Sequence, residues 1–188
     1  MILYRRTPRP LYRTVIDVLV FLAALAFVLG AMKQFGFIDL DTGQLQVVDG
    51  DSLRRGELDI RLHGIDAPEY RQPCRDKHGA EYACGKQAAN ALRGLVGRRE
   101  VSCTSIETDR YGRAVAVCRI GDLEINGEMV RLGWAVAYRS HGLSYVGLEA
   151  EARRAKRGIW AGSFETPADY RARQHLVQGN LGEPEPPD

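Results

Sequence analysis

The segment 61–69, with the sequence RLHGIDAPE, constrains this chain more than any other stretch. Apolar Ile60 and Leu62 alternate with polar Arg61 and His63, which is the pattern of a β-strand with one buried face. The segment then ends in two carboxylates around a proline, and proline favours extended or turn geometry in the residue before it. We therefore expect a strand that fixes the arginine and a loop that exposes the carboxylates.

This combination of side chains has a chemical use. Carboxylate oxygens suit hard cations such as Ca²⁺ or Mg²⁺, and a guanidinium binds two phosphate oxygens at once. The segment predicts a place where a cation and a phosphate meet. A charged surface turn is the alternative, and the segment alone does not separate the two.

Length and charge set the wider limits. The chain has 188 residues, which suits one domain with extensions. Its net charge is +2, and four of its 26 basic residues lie within the first 14 positions. The remainder is close to neutral, so bulk charge does not argue for a nucleic-acid partner. Such an argument has to come from local placement.

The N-terminal region resembles an export segment. Residues 1–14 are basic, and residues 15–32 are apolar except for Asp17. Positive charge before an apolar segment places the N-terminus in the cytoplasm. We expect 15–32 to be a transmembrane anchor in the inner membrane or a signal segment, followed by a linker at 33–43. The body would then be periplasmic, or secreted if the segment is cleaved.

The four cysteines contain no C-x-x-C pair, which argues against a zinc site. An even number behind an export-type segment predicts two disulfides, whereas four free thiols is the alternative. A hairpin turn symmetric about the bond between residues 110 and 111 places Cys103 opposite Cys118. Cys74 and Cys84 then remain to pair with each other.

The remaining patterns predict a small α+β domain at 44–177. Alternation and turn signals predict strands near 45–48, 57–64, 100–104 and 114–120. Helical spacing predicts helices near 81–96, 125–132, 145–157 and 168–177. We expect a five-stranded OB-fold β-barrel with about three helices. The Gly-, Pro- and acid-rich tail, 178–188, is expected to be disordered.

Three motifs occur in order: VVDGDS at 47–52, RLHGIDAPE at 61–69 and TDRYGR at 108–113. Together they closely resemble the motifs of the staphylococcal nuclease family. The resemblance covers about residues 44–165. It implies an OB-fold endonuclease that uses Ca²⁺ to hydrolyse phosphodiester bonds in DNA and RNA. We expect such a protein to be a monomer.

The resemblance also implies roles for individual residues. The calcium ligands would be Asp51, Asp66 and the backbone carbonyl of Ala67, with Asp49 ordering metal-bound water. Arg61 and Arg113 would clamp the scissile phosphate. Glu69 would orient or deprotonate the attacking water, and Tyr111 and Tyr138 would contact the substrate. A metal ion and two guanidiniums suit this reaction because its transition state gathers charge on the phosphate oxygens.

Two departures from the family bear on substrate binding. Ser140 stands about where the staphylococcal enzyme has a second substrate-contacting tyrosine, and the 74–84 loop differs beside Glu69. Two other functions remain open: a non-catalytic OB-fold module that binds nucleic acid, and an envelope phosphodiesterase acting on another polymer. All five residues that catalysis would need are present, which favours the enzyme over the module: Asp51, Arg61, Asp66, Glu69 and Arg113.

Overall fold

The structure is a computed structural model that describes residues 11–34 and 45–180. The chain divides into two compact units, Met1–Thr42 and Gly43–Asp188. In the first unit, α1 spans Leu11–Gln34. It includes the first two residues of the predicted linker, and 35–43 lie outside the described residues.

The predicted transmembrane anchor is not supported. Neither in 11–34 nor in 45–180 does the structure contain a helix with the length and apolar character needed to cross a membrane. The prediction rested on the apolar composition of 15–32 and on its basic flank.

The second unit is built on short strands. In chain order these are β1 Leu45–Val47, β2 Ser52–Arg55, β3 Leu58–Leu62, β4 Ile65–Asp66, β5 Cys74–Arg75, β6 Glu81–Tyr82, β7 Ser102–Thr108, β8 Ala114–Ile120, β9 Leu123–Glu124 and β10 Val136–Ala137. The four strands predicted from the sequence correspond to β1, β3, β7 and β8.

The main sheet has the order β1-β2-β3-β8-β7, with β9 also paired to β8. Strands β3 and β8 are parallel, and the other neighbours are antiparallel. This is the Greek-key arrangement of a partly open OB barrel. Within the described residues the sheet has six strands and does not close. β4–β10 and β5–β6 form two small separate sheets, so the predicted five-stranded barrel is corrected.

Five α-helices lie within the described residues, more than the number expected. After α1 these are α2 Cys84–Val96, α3 Ile125–Arg131, α4 Val146–Arg154 and α5 Pro167–Asn180. The predicted helix 81–96 begins late because Glu81 and Tyr82 form β6. Residues 178–180 continue α5 instead of starting a disordered tail, and 181–188 lie outside the described residues.

The core lies between the main sheet and helices α2 and α3. Its largest buried side chains include Leu53, Leu62, Ile65, Leu92 and Met129. β3 follows the predicted alternation: Ile60 and Leu62 are buried, whereas Arg61 remains partly exposed. Burial of the two apolar side chains therefore holds the arginine on the opposite face of the strand.

Asn126 joins α3 to the parallel strand pair. Its side chain is fully buried, and its amide nitrogen donates to the carbonyls of His63 and Ala116, at 2.9 and 3.1 Å. Its amide oxygen accepts from the backbone N–H of Cys118 at 3.0 Å. One side chain thus bonds three backbone groups next to the segment that carries Asp66, one of which, the Ala116 carbonyl, also accepts the His63 N–H at 2.8 Å.

Both disulfides expected from the sequence are present, Cys74–Cys84 and Cys103–Cys118. The second joins directly opposed residues of β7 and β8. The first joins β5 to the start of α2, so it closes the loop that follows Glu69.

Candidate active site

Most of the predicted site residues line one cleft. Its volume is about 760 Å³, and its walls include both predicted arginines, the predicted glutamate, both predicted tyrosines and one predicted aspartate: Arg61, Arg113, Glu69, Tyr111, Tyr138 and Asp49. The fold therefore brings together residues that are up to 89 positions apart in the sequence. The remaining predicted ligands, Asp51, Asp66 and Ala67, are buried.

Arg61 bridges the two buried aspartates. One terminal nitrogen donates to Oδ1 of Asp51 at 3.1 Å, and the other donates to Oδ1 of Asp66 at 2.9 Å. The antiparallel register pairs Ser52 with Arg61, which sets Asp51 beside the arginine, and Asp66 follows on β4. The side chains of Asp51 and Asp66 are 5% and 2% exposed, so the guanidinium compensates charges that water hardly reaches.

Asp51 has further protein partners. Its Oδ1 accepts from the Ser52 hydroxyl at 2.9 Å, and its Oδ2 accepts from the backbone N–H of Ala67 at 3.0 Å. Burial raises the pKa of Asp51 to about 7, and the nearby charges of Asp49 and Asp66 add to the effect while Arg61 opposes it. The pKa indicates that the protein alone leaves the negative charge of this pocket under-compensated.

A glutamine fixes the turn that carries Glu69. The backbone N–H of Glu69 donates to Oε1 of Gln72 at 3.1 Å, and the N–H of Gln72 donates back to the Glu69 carbonyl at 2.7 Å. Gln72 is fully buried, and its Nε2 donates to the carbonyl of Glu165 at 2.7 Å. The same side chain therefore sets the Glu69 turn and holds the segment just before α5.

Helix α2 presses against this turn at a glycine. A Cβ on Gly85 would lie 1.8 Å from the Glu69 carbonyl oxygen, so only glycine allows the backbones to approach this closely. The Cys74–Cys84 disulfide ends at the residue before Gly85. The bridge and the glycine together fix the backbone behind Glu69.

Arg113 is held in the cleft by its own turn. Its Nε and one terminal nitrogen each lie 2.8 Å from Oδ2 of Asp109. Oδ1 of Asp109 accepts the backbone N–H groups of Tyr111 and Arg113, at 2.9 and 3.0 Å. Partial burial raises the pKa of Asp109, but the hydrogen bonds from Arg113 and Tyr111 outweigh it and lower the pKa below its ordinary value.

The two predicted tyrosines differ in exposure. Tyr111 is 69% exposed, and the guanidiniums of Arg110 and Arg113 lie 4.8 and 5.4 Å from its ring centre. Tyr138 is half-buried and anchored by its backbone N–H, which donates to the Gly64 carbonyl at 2.9 Å. Ser140 lies in the short 3-10 turn Arg139–His141 that follows. An exposed ring flanked by guanidiniums suits stacking on a base.

Sequence reasoning missed Arg171, which α5 places in the cleft. Its two terminal nitrogens lie 3.0 and 2.9 Å from Oδ1 and Oδ2 of Asp66, and one of them lies 2.7 Å from Oε1 of Glu69. Desolvation of Arg171 is outweighed by its bonds to both carboxylates, so its pKa is raised. Helical spacing predicted α5, but nothing in that pattern marked one of its arginines.

The donor set has the chemistry of a hard-cation site. Its donors are oxygens only: the carboxylates of residues 51, 66 and 69 contact the guanidiniums of Arg61 and Arg171, and that of Asp49 accepts the backbone N–H of Asp51 at 3.1 Å. Within 11–34 and 45–180, no three His, Cys, Asp or Glu side chains converge closely enough to enclose an ion. A cation here would be held by Asp51 and Asp66, with the Ala67 carbonyl and water completing its ligands.

The chain is similar to several described proteins. It is 36% identical over 121 residues to succinoglycan biosynthesis protein ExoI of Rhizobium meliloti, covering 63% of each chain. It is 34% identical over 141 residues to endonuclease Htp3 of Saprolegnia parasitica, covering 67% of this chain and 65% of that protein. It is 32% identical over 136 residues to an uncharacterised endonuclease of Escherichia coli O157:H7, covering 69% of this chain and 82% of that one.

The chain thus spans less than two thirds of the Rhizobium and Saprolegnia proteins. Residues 59–162 match the family model described as staphylococcal nuclease homologue, a segment that includes Arg61, Asp66, Glu69 and Arg113 but ends before Arg171. That match covers more than half of the sequence and agrees with the three motifs and the Greek-key sheet. The chain belongs to the staphylococcal nuclease family.

Proposed function

We propose that this protein is a calcium-dependent endonuclease that hydrolyses phosphodiester bonds in DNA and RNA. The observation that carries the proposal is the bridge from Arg61 to the buried Asp51 and Asp66, in a cleft whose lining also includes Arg113. The endonuclease names of two relatives support the reaction class.

The position of each residue in the cleft suggests its role. Arg61 and Arg113 both line the cleft and would bind the phosphate, because a guanidinium stays charged and contacts two oxygens at once. Glu69 lies at the cleft wall and would orient or deprotonate the attacking water. Tyr111 and Tyr138 would contact the nucleotides on either side.

The carboxylates would hold the cation. Asp51 and Asp66 would be its protein ligands with the Ala67 carbonyl, and Asp49 would order the surrounding water. When bound, Ca²⁺ would supply positive charge to the phosphate as negative charge builds on its oxygens. The raised pKa of Asp51 supports this role, because a cation would supply the missing compensation.

The test is a cleavage assay on the full chain. Single-stranded DNA, double-stranded DNA and RNA are each incubated with Ca²⁺, with Mg²⁺ and with excess chelator, beside bis(p-nitrophenyl) phosphate as a phosphodiester without bases. We expect cleavage of both nucleic acids with Ca²⁺ alone. Binding of nucleic acid without cleavage would instead show a non-catalytic module, and cleavage of the simple diester alone would point to another polymer.

We further propose that the body works outside the cytoplasm. The two disulfides support this location, because such bridges persist in oxidising compartments. The test is a fusion at position 188 to a reporter that is active only after export. Signal from a cytoplasmic reporter alone would refute the location.

A further inference from the structure

We propose that Arg171 is a displaceable counter-ion that occupies the candidate cation site and leaves it when a divalent cation binds. The inference rests on the proposed function, because it concerns the same carboxylates. It adds a second state to the site, in which the C-terminal helix holds the catalytic carboxylates until a cation competes for them.

The contacts of Arg171 are those that a cation would need. Its two nitrogens engage both oxygens of Asp66, at 3.0 and 2.9 Å, and so block the approach of another cation to that carboxylate. The same guanidinium binds Glu69 at 2.7 Å, so the glutamate is engaged in an ion pair. One arginine thus neutralises a candidate ligand and the candidate base together.

Charge makes the two occupants exclusive. A divalent ion bound to Asp66 would lie within a few ångströms of the Arg171 guanidinium, and like charges at that distance repel strongly away from bulk water. Asp66 is 2% exposed at its side chain, whereas Arg171 is 34% exposed. The carboxylate is therefore fixed, and the arginine is the partner with a route into solvent.

Helix α5 is attached in a way that permits this exchange. Pro167 is buried and Tyr170, Arg171 and Gln174 are half-buried, whereas Leu176 and Val177 are 70% and 49% exposed, so none of the side chains described from 168 to 177 is fully buried. Its start is held through the Gln72 bond to the Glu165 carbonyl. Beyond that point, the ion pairs of Arg171 link α5 to the cleft, whose lining also includes His175 from the next turn of the helix.

The same helix offers a matched control. Arg173 lies two positions further on and pairs with Glu165 instead, at 2.8 Å, away from Asp66. Replacing Arg173 with glutamine removes the same charge from the same helix but leaves the candidate site intact. Replacing Arg171 with lysine keeps the charge but removes the two-point contact.

The experiment measures Ca²⁺ binding by calorimetry in the full chain, for the natural protein and for Arg171→Gln, Arg171→Lys and Arg173→Gln. We expect Arg171→Gln to bind Ca²⁺ at least about fivefold more tightly, the lower end of ordinary coupling between sites. Arg171→Lys should fall between it and the natural protein, and Arg173→Gln should match the natural protein. Equal or weaker binding by Arg171→Gln would overturn the inference and leave the calcium proposal standing.

Hydrogen exchange of α5 gives a second readout. Ca²⁺ should speed exchange of the amides in 167–177 of the natural protein, because the helix loses its link to the cleft. In Arg171→Gln these amides should exchange fast even without Ca²⁺, and adding Ca²⁺ should not change their exchange rate. Binding of Ca²⁺ with unchanged exchange would refute displacement, whereas no binding in any variant would refute the calcium proposal along with it.

Discussion

Arg113 and Asp109 form a two-point contact within one turn, with two guanidinium nitrogens each 2.8 Å from the same carboxylate oxygen. The contact fixes the direction in which Arg113 enters the cleft. It makes Asp109 a positioning residue, separate from the groups that would touch the phosphate.

Replacing Asp109 with asparagine should leave the turn intact, because an amide oxygen can still accept the two backbone N–H groups. The charge that orients Arg113 is lost, and misplacing one group by about 1 Å can cost ~10²-fold in rate. We expect kcat for DNA cleavage to fall by about ten- to a hundredfold with an unchanged circular dichroism spectrum. Arg54→Ala, which removes an exposed arginine of β2 paired with Asp59, is the control and should keep full activity.

The same carboxylate should contribute to acid stability. Its pKa is lowered in the folded state, so its contribution is present above the ordinary carboxyl range and is lost as pH falls through the lowered value. Urea unfolding at a series of pH values should show a smaller loss below pH ~4 for Asp109→Asn than for the natural protein. If the free energy of unfolding falls with pH equally in both proteins, Asp109 does not contribute to acid stability.

Arg61 should have a structural role in addition to its proposed catalytic one. Arg61→Ala leaves two buried carboxylates with less compensation, and breaking a buried ion pair costs about 3–5 kcal/mol. We expect the metal-free variant to unfold at lower urea concentration and to recover stability in Ca²⁺. Arg61→Lys should stay folded but lose about 10²–10³ in cleavage rate, because one point charge replaces a two-point contact.

Asn126→Ala should be strongly destabilising. It removes the side-chain partner of the Cys118 N–H and the His63 carbonyl, each of which costs about 1–3 kcal/mol when left unsatisfied, whereas the Ala116 carbonyl keeps its bond from the His63 N–H. Asn90→Ala, on the exposed face of α2, is the control and should change the free energy of unfolding by less than about 0.5 kcal/mol. A similar loss of unfolding free energy in both variants would show that the buried hydrogen bonds of Asn126 do not stabilise the fold more than an exposed one does.

Removing either disulfide should lower stability, but only removal of Cys74–Cys84 should also lower activity. Replacing Cys74 and Cys84 with serine frees the turn behind Glu69, so the cleavage rate should fall as well as the melting temperature. Replacing Cys103 and Cys118 should cost a similar ~2–4 kcal/mol of stability but leave kcat nearly unchanged, because that bridge lies along β7 and β8. Equal rates in both double variants would refute the link to Glu69.

The hairpin shows how far the sequence could predict the fold. A turn symmetric about the bond between residues 110 and 111 placed Cys103 opposite Cys118, and that pairing is present. The actual turn pairs Thr108 with Ala114, one position out of that register, and a bulge at Ile106 shifts the strands back. Two local departures cancel at the cysteines, and neither has a signal in the alternation of residues.

The candidate site was predictable where its residues belong to short motifs. Strand alternation and the three motifs marked Arg61, Asp66 and Arg113; the fold brings the two arginines to one cleft and sets Asp66 against Arg61. Arg171 and Gln72 act through contacts between segments about 100 positions apart, and such contacts leave no periodic pattern. The transmembrane prediction rested on the apolar composition of 15–32 and on the positive charge before it, neither of which depends on contacts in the fold.

The parallel pairing of β3 with β8 has a consequence for folding. Arg61 lies opposite Val115, so the two candidate phosphate-binding arginines become neighbours only after the intervening chain, including α2 and β7, has been arranged. Long-range pairings of this kind form late, because the entropy of closing the loop is lost before any contact is gained. A chain still being synthesised therefore has no phosphate site until β8 has emerged and paired. During refolding, the return of cleavage should lag behind the return of helical signal.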